Sequence, residues 1–175
     1  SNESNNVNLT GNISTTGTAV FITGGGSHST NLTGDISTTA DHSYPIFFGS
    51  TDANTTNLTG NISTIGNEAH GIDLAVSDNN TINVTGDIST TANNTHGIQF
   101  WDSSDSTTIN MTGKVSATGS GSYAVYLNGT SDNNTVNFNQ GSTIIGGIRN
   151  DTTNNTFKFK QGVSIIGDIE NNGDM

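Results

Sequence analysis

One phrase recurs along this chain and restricts its fold more than any other feature. Asn83-Val84-Thr85-Gly86-Asp87-Ile88-Ser89-Thr90 is written earlier as Asn8-Leu9-Thr10-Gly11-Asn12-Ile13-Ser14-Thr15, again from Asn31 and from Asn57, and more loosely from Asn110. The glycine marks the period. Gly11, Gly34, Gly60, Gly86 and Gly113, with Gly141 and Gly162 read as diverged successors, stand 23, 26, 26, 27, 28 and 21 residues apart. A repeat of this length is one supersecondary unit that cannot hide its own apolar residues, so consecutive units must stack.

The apolar residues keep phase with the marker. Around Gly86 they are Ile82, Val84, Ile88, Ile98 and Phe100; the unit before has Thr56, Leu58, Ile62, Ile72 and Leu74 at the same offsets. The unit of Gly34 gives Thr30, Leu32, Ile36, Ile46 and Phe48, and that of Gly113 gives Ile109, Met111, Val115, Val125 and Leu127. Alternation at period two means short strands with one buried face, and no window carries the 3.6-residue stripe of a helix. Each unit therefore holds three strands, such as Thr81 to Thr85, Asp87 to Thr90 and Ile98 to Trp101, with Gly86 permitting the bend between the first two. Asp78-Asn79-Asn80 and Asp132-Asn133-Asn134 read as turns, because Asn and Asp tolerate left-handed backbone.

A sandwich would join such strands by hairpins and has no reason to restate one motif in fixed phase. A parallel β-helix lays each strand on its copy in the next coil, about 4.8 Å away, and so explains the repetition. The expected fold is all-β: a right-handed, single-stranded parallel β-helix, or β-solenoid, of about seven three-strand coils. Residues 1–135 form coils of about 26 residues. In 136–175, Phe138-Asn139-Gln140-Gly141 is echoed 21 residues later by Phe159-Lys160-Gln161-Gly162, giving shorter coils continuous with the first part. Ser1-Asn2-Glu3 runs almost directly into a repeat and Met175 closes in mid-pattern, so both ends read as cuts in a longer protein.

Composition removes several function classes. With 29% hydrophobic and 11% charged residues the chain has the makeup of a disordered tract, but a disordered tract does not hold its apolar residues in register. Fifteen acidic against four basic side chains leave a formal charge of -11, which opposes nucleic acid and anionic lipid. The lack of cysteine excludes disulfides and thiolate-bound zinc.

The coil wording Gly86-Asp87-Ile88-Ser89-Thr90, Gly97-Ile98 and Ser77-Asp78-Asn79-Asn80-Thr81, with the closing line Gly141-x-x-Ile144-x-Gly146-x-Ile148, resembles the passenger domains of bacterial autotransporters, the type V secreted proteins. The resemblance covers nearly the whole chain. It implies a β-barrel translocator in the outer membrane downstream of Met175, and display on the bacterial surface or release from it. Members of the family serve as adhesins, cytotoxins, proteases or esterases, so the likeness speaks to delivery and folding rather than to one activity.

Candidate chemistry belongs on outward rows. If Ile98 and Phe100 point inward, the residue between them points outward, and that row reads Phe47, Asp73, Gln99 and Tyr126, with Phe21 in the first coil. Two places on, the row reads Gly49, Ala75, Trp101 and Asn128. Phe47, Asp73, Gln99, Trp101 and Tyr126 are thus the expected binding residues, since aromatics beside polar groups stack on sugars or anchor a protein partner. Local packing of the same residues is the competing expectation.

Just before this strand stand Tyr44, His70, His96 and Tyr123, near His42, Glu68 and Asp41. Ring stacking at a corner is expected there in preference to a metal. Asp102-Ser103-Ser104-Asp105 is either a calcium loop or an Asx-rich turn. No Gly-x-Ser-x-Gly elbow occurs, and Asp73 is the only acid in the outward third-strand rows, so no catalytic residue, cofactor or metal is expected.

The Asn-x-Thr sequons at Asn31, Asn57 and Asn83 follow from the repeat itself. The same repeat points Asn8/Thr10, Asn31/Thr33, Asn57/Thr59, Asn83/Thr85 and Asn110/Thr112 outward in two columns able to order water. The leading expectation is a non-enzymatic, secreted or surface-displayed passenger fragment that binds a host-cell surface protein or glycan. An ice-binding solenoid and a glycan-cleaving β-helix enzyme are the alternatives.

Overall fold

A computed structural model describes residues 5–173; Ser1-Asn2-Glu3 and Met175, where the sequence reads as cut, lie outside them. The described chain winds into three seven-stranded sheets, and every strand pairing in them is parallel. The first sheet stacks Asn6–Thr10, Ser29–Thr33, Thr55–Thr59, Thr81–Thr85, Thr108–Thr112, Thr135–Phe138 and Thr156–Phe159. The second runs from Ile13–Thr15 through Ile36–Thr38, Ile62–Thr64, Ile88–Thr90, Lys114–Ala117 and Thr143–Ile145 to Ser164–Ile166. The third holds Val20–Gly25, Ile46–Asp52, Ile72–Asp78, Ile98–Trp101, Val125–Leu127, Ile148–Asn150 and Ile169–Asn171. No helix occurs among the described residues. This is the expected β-solenoid.

Like lies over like. Ile36, Ile62 and Ile88 are register partners in the second sheet, as are Leu58 with Val84 in the first and Ile72 with Ile98 in the third. The inward columns meet in one core that includes Leu32, Ile36, Phe48, Leu58, Ile72, Phe100, Met111 and Phe138. Burying such aliphatic and aromatic side chains is worth roughly 1.5–3 kcal/mol each, and parallel stacking collects that gain without hairpins.

The first corner explains why the marker must be glycine. Gly60 and Gly86 have φ of +142° and +141°, which L side chains rarely adopt. A β-carbon on Gly86 would meet the Gly60 carbonyl oxygen at 2.0 Å. Both the bend and the closeness of the next coil demand the missing side chain. The residue after each marker locks the corner: the Asp87 amide donates to Asn61 Oδ1 at 2.9 Å, and the Lys114 amide to Asp87 Oδ1 at 2.9 Å.

Gly141 and Gly162 do not continue this column. Four residues lie between Phe138 and Thr143, whereas two lie between their partners Met111 and Lys114, so the corner has widened by two. Gly141, with φ +78°, sits in a turn closed by the Ser142 amide on the Asn139 carbonyl at 3.1 Å, and a β-carbon there would touch nothing within 4 Å. They are turn glycines of a different corner.

The corner between the third and first sheets divides its turn residues between two tasks. Asn79 and Asn133 take left-handed backbone, φ 56° and 59°, as the sequence suggests. Their neighbours Asn80 and Asn134 turn inward instead and are buried. The amides of Asn54, Asn80 and Thr107 donate to Asn80 Oδ1, Thr107 Oγ1 and Asn134 Oδ1 at 3.0, 3.2 and 2.9 Å. Backbone groups that would be stranded inside the corner thereby find acceptors.

Candidate functional site: the outer face of the third sheet

Parallel register brings the expected residues together. Phe47 pairs with Asp73, Asp73 with Gln99 and Gln99 with Tyr126, while Trp101 lies beside Ala75. Their surroundings are not uniform. Trp101 is 38% exposed, Phe47 and Tyr126 are half-buried, and Asp73 and Gln99 retain only 1% and 9% exposure. A row that points outward in the pleat is here covered by neighbouring side chains.

Part of that cover is a ladder of rings. Phe21 stacks on Phe47 at 5.0 Å, Phe47 on Tyr44 at 5.4 Å, Tyr44 on His70 at 5.7 Å, and His70 on His96 at 4.9 Å with 12° between planes. Tyr123 continues the stack at 5.7 Å, and Tyr126 tilts against His96 at 4.7 Å. The rung spacing of a parallel sheet matches the separation of stacked rings, so one aromatic per coil suffices.

The imidazoles are also hydrogen-bonded: the His96 amide donates to His70 Nδ1 at 2.9 Å, and the Tyr123 amide to His96 Nδ1 at 3.0 Å. Burial, reinforced by the neighbouring His96 and His42, pushes the His70 pKa down to about 3. Burial and Arg149 push that of His96 down to about 4. With Nδ1 accepting an amide proton, these histidines are structural rings. Among the described residues no group of three or more His, Cys, Asp or Glu is placed to hold a metal ion.

Asp73 is the unusual member. Burial lifts its carboxyl pKa to about 7, against the opposing pull of a hydrogen bond from Trp101. Its Oδ1 has no hydrogen-bond partner, nor do Gln99 Oε1 and Asn128 Oδ1 on the same face.

Arg149, absent from the expected set, continues the row as the register partner of Tyr126, with Glu170 on the rung after it. Its guanidinium lies 5.7 and 5.6 Å from the Tyr123 and Tyr126 rings, donates through Nε to Asp151 at 2.8 Å, and reaches the Tyr123 hydroxyl at 3.2 Å. The sequence signal was the in-phase Ile148 just before it, obscured by the shortened coil.

The remaining candidates are built into the scaffold. In Asp102-Ser103-Ser104-Asp105, the first two residues are left-handed, Ser104 Oγ donates to the Trp101 carbonyl at 3.0 Å, and Asp105 Oδ1 accepts the Asp132 amide at 2.7 Å. This is the geometry of an Asx-rich turn.

On the first sheet, Asn31, Asn57, Asn83, Asn110 and Asn137 each donate a carboxamide proton to the Asn one coil earlier at 2.8 Å. The sequon nitrogens of Asn31, Asn57 and Asn83 are thus engaged in a ladder. Thr10, Thr33, Thr59, Thr85 and Thr112 stand exposed alongside in register.

Fold and face together define the class: a three-sheet parallel β-solenoid with a ladder of amides on one outer face and a ladder of rings on another. The chain matches no protein family, curated protein or solved structure at a significant level. Its likeness to autotransporter passengers accordingly rests on the coil motifs quoted above.

Proposed function

We propose that this solenoid is a non-enzymatic binding module, displayed on or released from a bacterial surface, that attaches to a host-cell protein or glycan through the outer face of its third sheet. The observation that carries this reading is the ladder of rings from Phe21 to Tyr126, with Trp101 exposed at its edge. Phe47 and Tyr126 are half-buried in the stack, and Trp101 presents an indole able to stack on a sugar or anchor a partner. Asp73 and Gln99 lie beneath as polar groups able to orient what binds. The passenger-like coils support delivery by type V secretion, with a translocator barrel beyond Met175. Replacing Trp101 and Tyr126 together by Ala should reduce attachment to cells at least tenfold while the β-sheet circular dichroism is kept; unchanged attachment rejects the face.

A second reading is favoured by a different observation. The exposed threonine column of the first sheet is in register and rests beside a rigid amide ladder, an arrangement able to order water. Thermal hysteresis that disappears in Thr59→Tyr would move the function to that face, and product release from a glycan panel would move it to an enzyme.

A further inference from the structure

Three side-chain oxygens on the outer face of the third sheet are sealed from solvent and unpartnered: Asp73 Oδ1, Gln99 Oε1 and Asn128 Oδ1. They come from three consecutive coils. Asp73 and Gln99 are register partners, and the Asn128 amide donates to the Phe100 carbonyl at 3.0 Å, which fixes it one rung further on. The other buried side-chain oxygens without a partner among the described residues, on Thr56 and Thr64, belong to core-facing hydroxyls. Those on the face are two carboxamide oxygens, which only accept, and a carboxyl oxygen, which accepts once the group has given up its proton. An unsatisfied buried polar group is costly, and a ligand rich in donors removes that cost.

The donor needed here carries positive charge. A carboxyl kept neutral by its surroundings ionises once a cation sits against it. An ammonium supplies three N–H donors and no acceptor, which matches a site whose oxygens all accept once Asp73 is ionised. The formal charge of -11 concentrates cations around the chain, and the exposed indole of Trp101 attracts both a cation and the apolar face of a pyranose. A neutral sugar leaves the carboxyl protonated and gains no ion pair from it.

We propose that the third face binds a cationic amino sugar, its ammonium between Asp73 and Gln99, a hydroxyl on Asn128, and its ring against Trp101. This rests on the reading of the same face as the attachment surface and names the ligand chemistry. Binding brings the ligand against the indole, which shifts to meet it. Trp101 is the only tryptophan, and its fluorescence reports that movement directly. The other titratable groups of this face among the described residues include Tyr44, His70, His96, Tyr123, Tyr126 and the exposed Glu68, with Arg149 three rungs from Asp73 and paired with Asp151 and Glu170. Both imidazoles are neutral at pH 6–7, which leaves Asp73 as the group that releases a proton when the ammonium arrives.

The test titrates a glucosamine oligomer and its fully N-acetylated counterpart into the intact chain at neutral pH, read by Trp101 fluorescence and calorimetry. The expected result is at least tenfold tighter binding of the glucosamine oligomer. Asp73→Asn should remove that preference, whereas Asp132→Asn, which deletes the same charge at another corner, should keep it. Should Asp73→Asn fail to fold, calorimetry of the unaltered chain at pH 6 in two buffers decides the matter, with proton release expected. Equal binding of the two oligomers, a preference that survives Asp73→Asn, no binding, or no proton release each overturns the proposal. If cell attachment still depends on Trp101 and Tyr126, only the ligand assignment falls. If attachment is indifferent to them, the face itself is rejected.

Discussion

On the first sheet the central outer row is Asn8, Asn31, Asn57, Asn83, Asn110 and Asn137, each later carboxamide donating to the one before it. On the third sheet the comparable row changes at every rung, from Phe47 through Asp73, Gln99 and Tyr126 to Arg149. Both rows ride on the same coils with the same spacing. A column of one residue type can satisfy itself, because each side chain meets a copy offering the complementary atom. The varied row of the third sheet does not, and the oxygens of Asp73 and Gln99 are left unpartnered. Repetition holds this molecule together, and departure from repetition gives one face its chemical individuality.

The contrast is most severely tested at the corner that enforces the repeat. Gly86→Val places a β-carbon 2.0 Å from the Gly60 carbonyl oxygen at a φ of +141°, and should cost more than about 4 kcal/mol or prevent folding. Gly141→Ala, at a widened corner with open space around it, should cost only about 1–2 kcal/mol. Urea denaturation of the two variants compares them. Similar midpoints would mean that the close stacking of the marker column is not what the fold depends on.

Asp73 provides the next largest effect, and it depends on pH. Its folded pKa of about 7 lies above the ordinary 3.8, so the folded chain holds this proton more tightly than the unfolded one. The associated stability is complete below pH 4 and is lost as pH rises through 7. Asp73→Asn should therefore be more stable than the unaltered chain by on the order of 2–4 kcal/mol at pH 8, and indistinguishable from it near pH 3. His70 and His96 act in the opposite sense, because folded values of about 3 and about 4 lie below the ordinary 6.5. They cost stability as pH falls from 6.5 towards 4. Thermal melts of Asp73→Asn should consequently decline on acidification more steeply than those of the unaltered chain. Parallel profiles would contradict the burial of the carboxyl.

A smaller effect sharpens the comparison of the two rows directly. Asn83→Ala breaks two amide bonds of 2.8 Å and should cost about 1–2 kcal/mol, whereas Gln99→Leu removes an unpartnered acceptor and should be neutral or slightly stabilising. Equal losses in chemical denaturation would erase the distinction. The smallest change concerns Val76, an exposed β-branched residue with φ of 51°. Val76→Gly should stabilise by roughly 1 kcal/mol, measured as a rise in melting temperature.

The inward columns were legible because period two in sequence is the pleat itself, and a repeat in fixed phase lays Ile62 under Ile88 whatever lies between. The ring ladder was legible for the same reason: Tyr44, His70, His96 and Tyr123 keep one offset. The buried corner ladder was not. Asn80, Thr107 and Asn134 share a task, accepting an amide proton, while changing residue type, and comparison of letters does not detect a conserved role. Nor did alternation reveal how deeply Asp73 and Gln99 lie. Pointing away from the core is a property of the strand, whereas exposure depends on what neighbouring residues lay over it. The widened corner at Gly141 was misread because a glycine in the right place can serve a different turn.

The hydrogen bonds between coils run along the length of the stack, and this fixes how it yields to a pull. Tension on the outermost strand opens the contacts of one coil while the layers below remain loaded only through the next. Freeing 26 residues pays out about 90 Å of chain. A rod built this way lengthens in discrete increments, one per coil, which force spectroscopy would record as a series of steps.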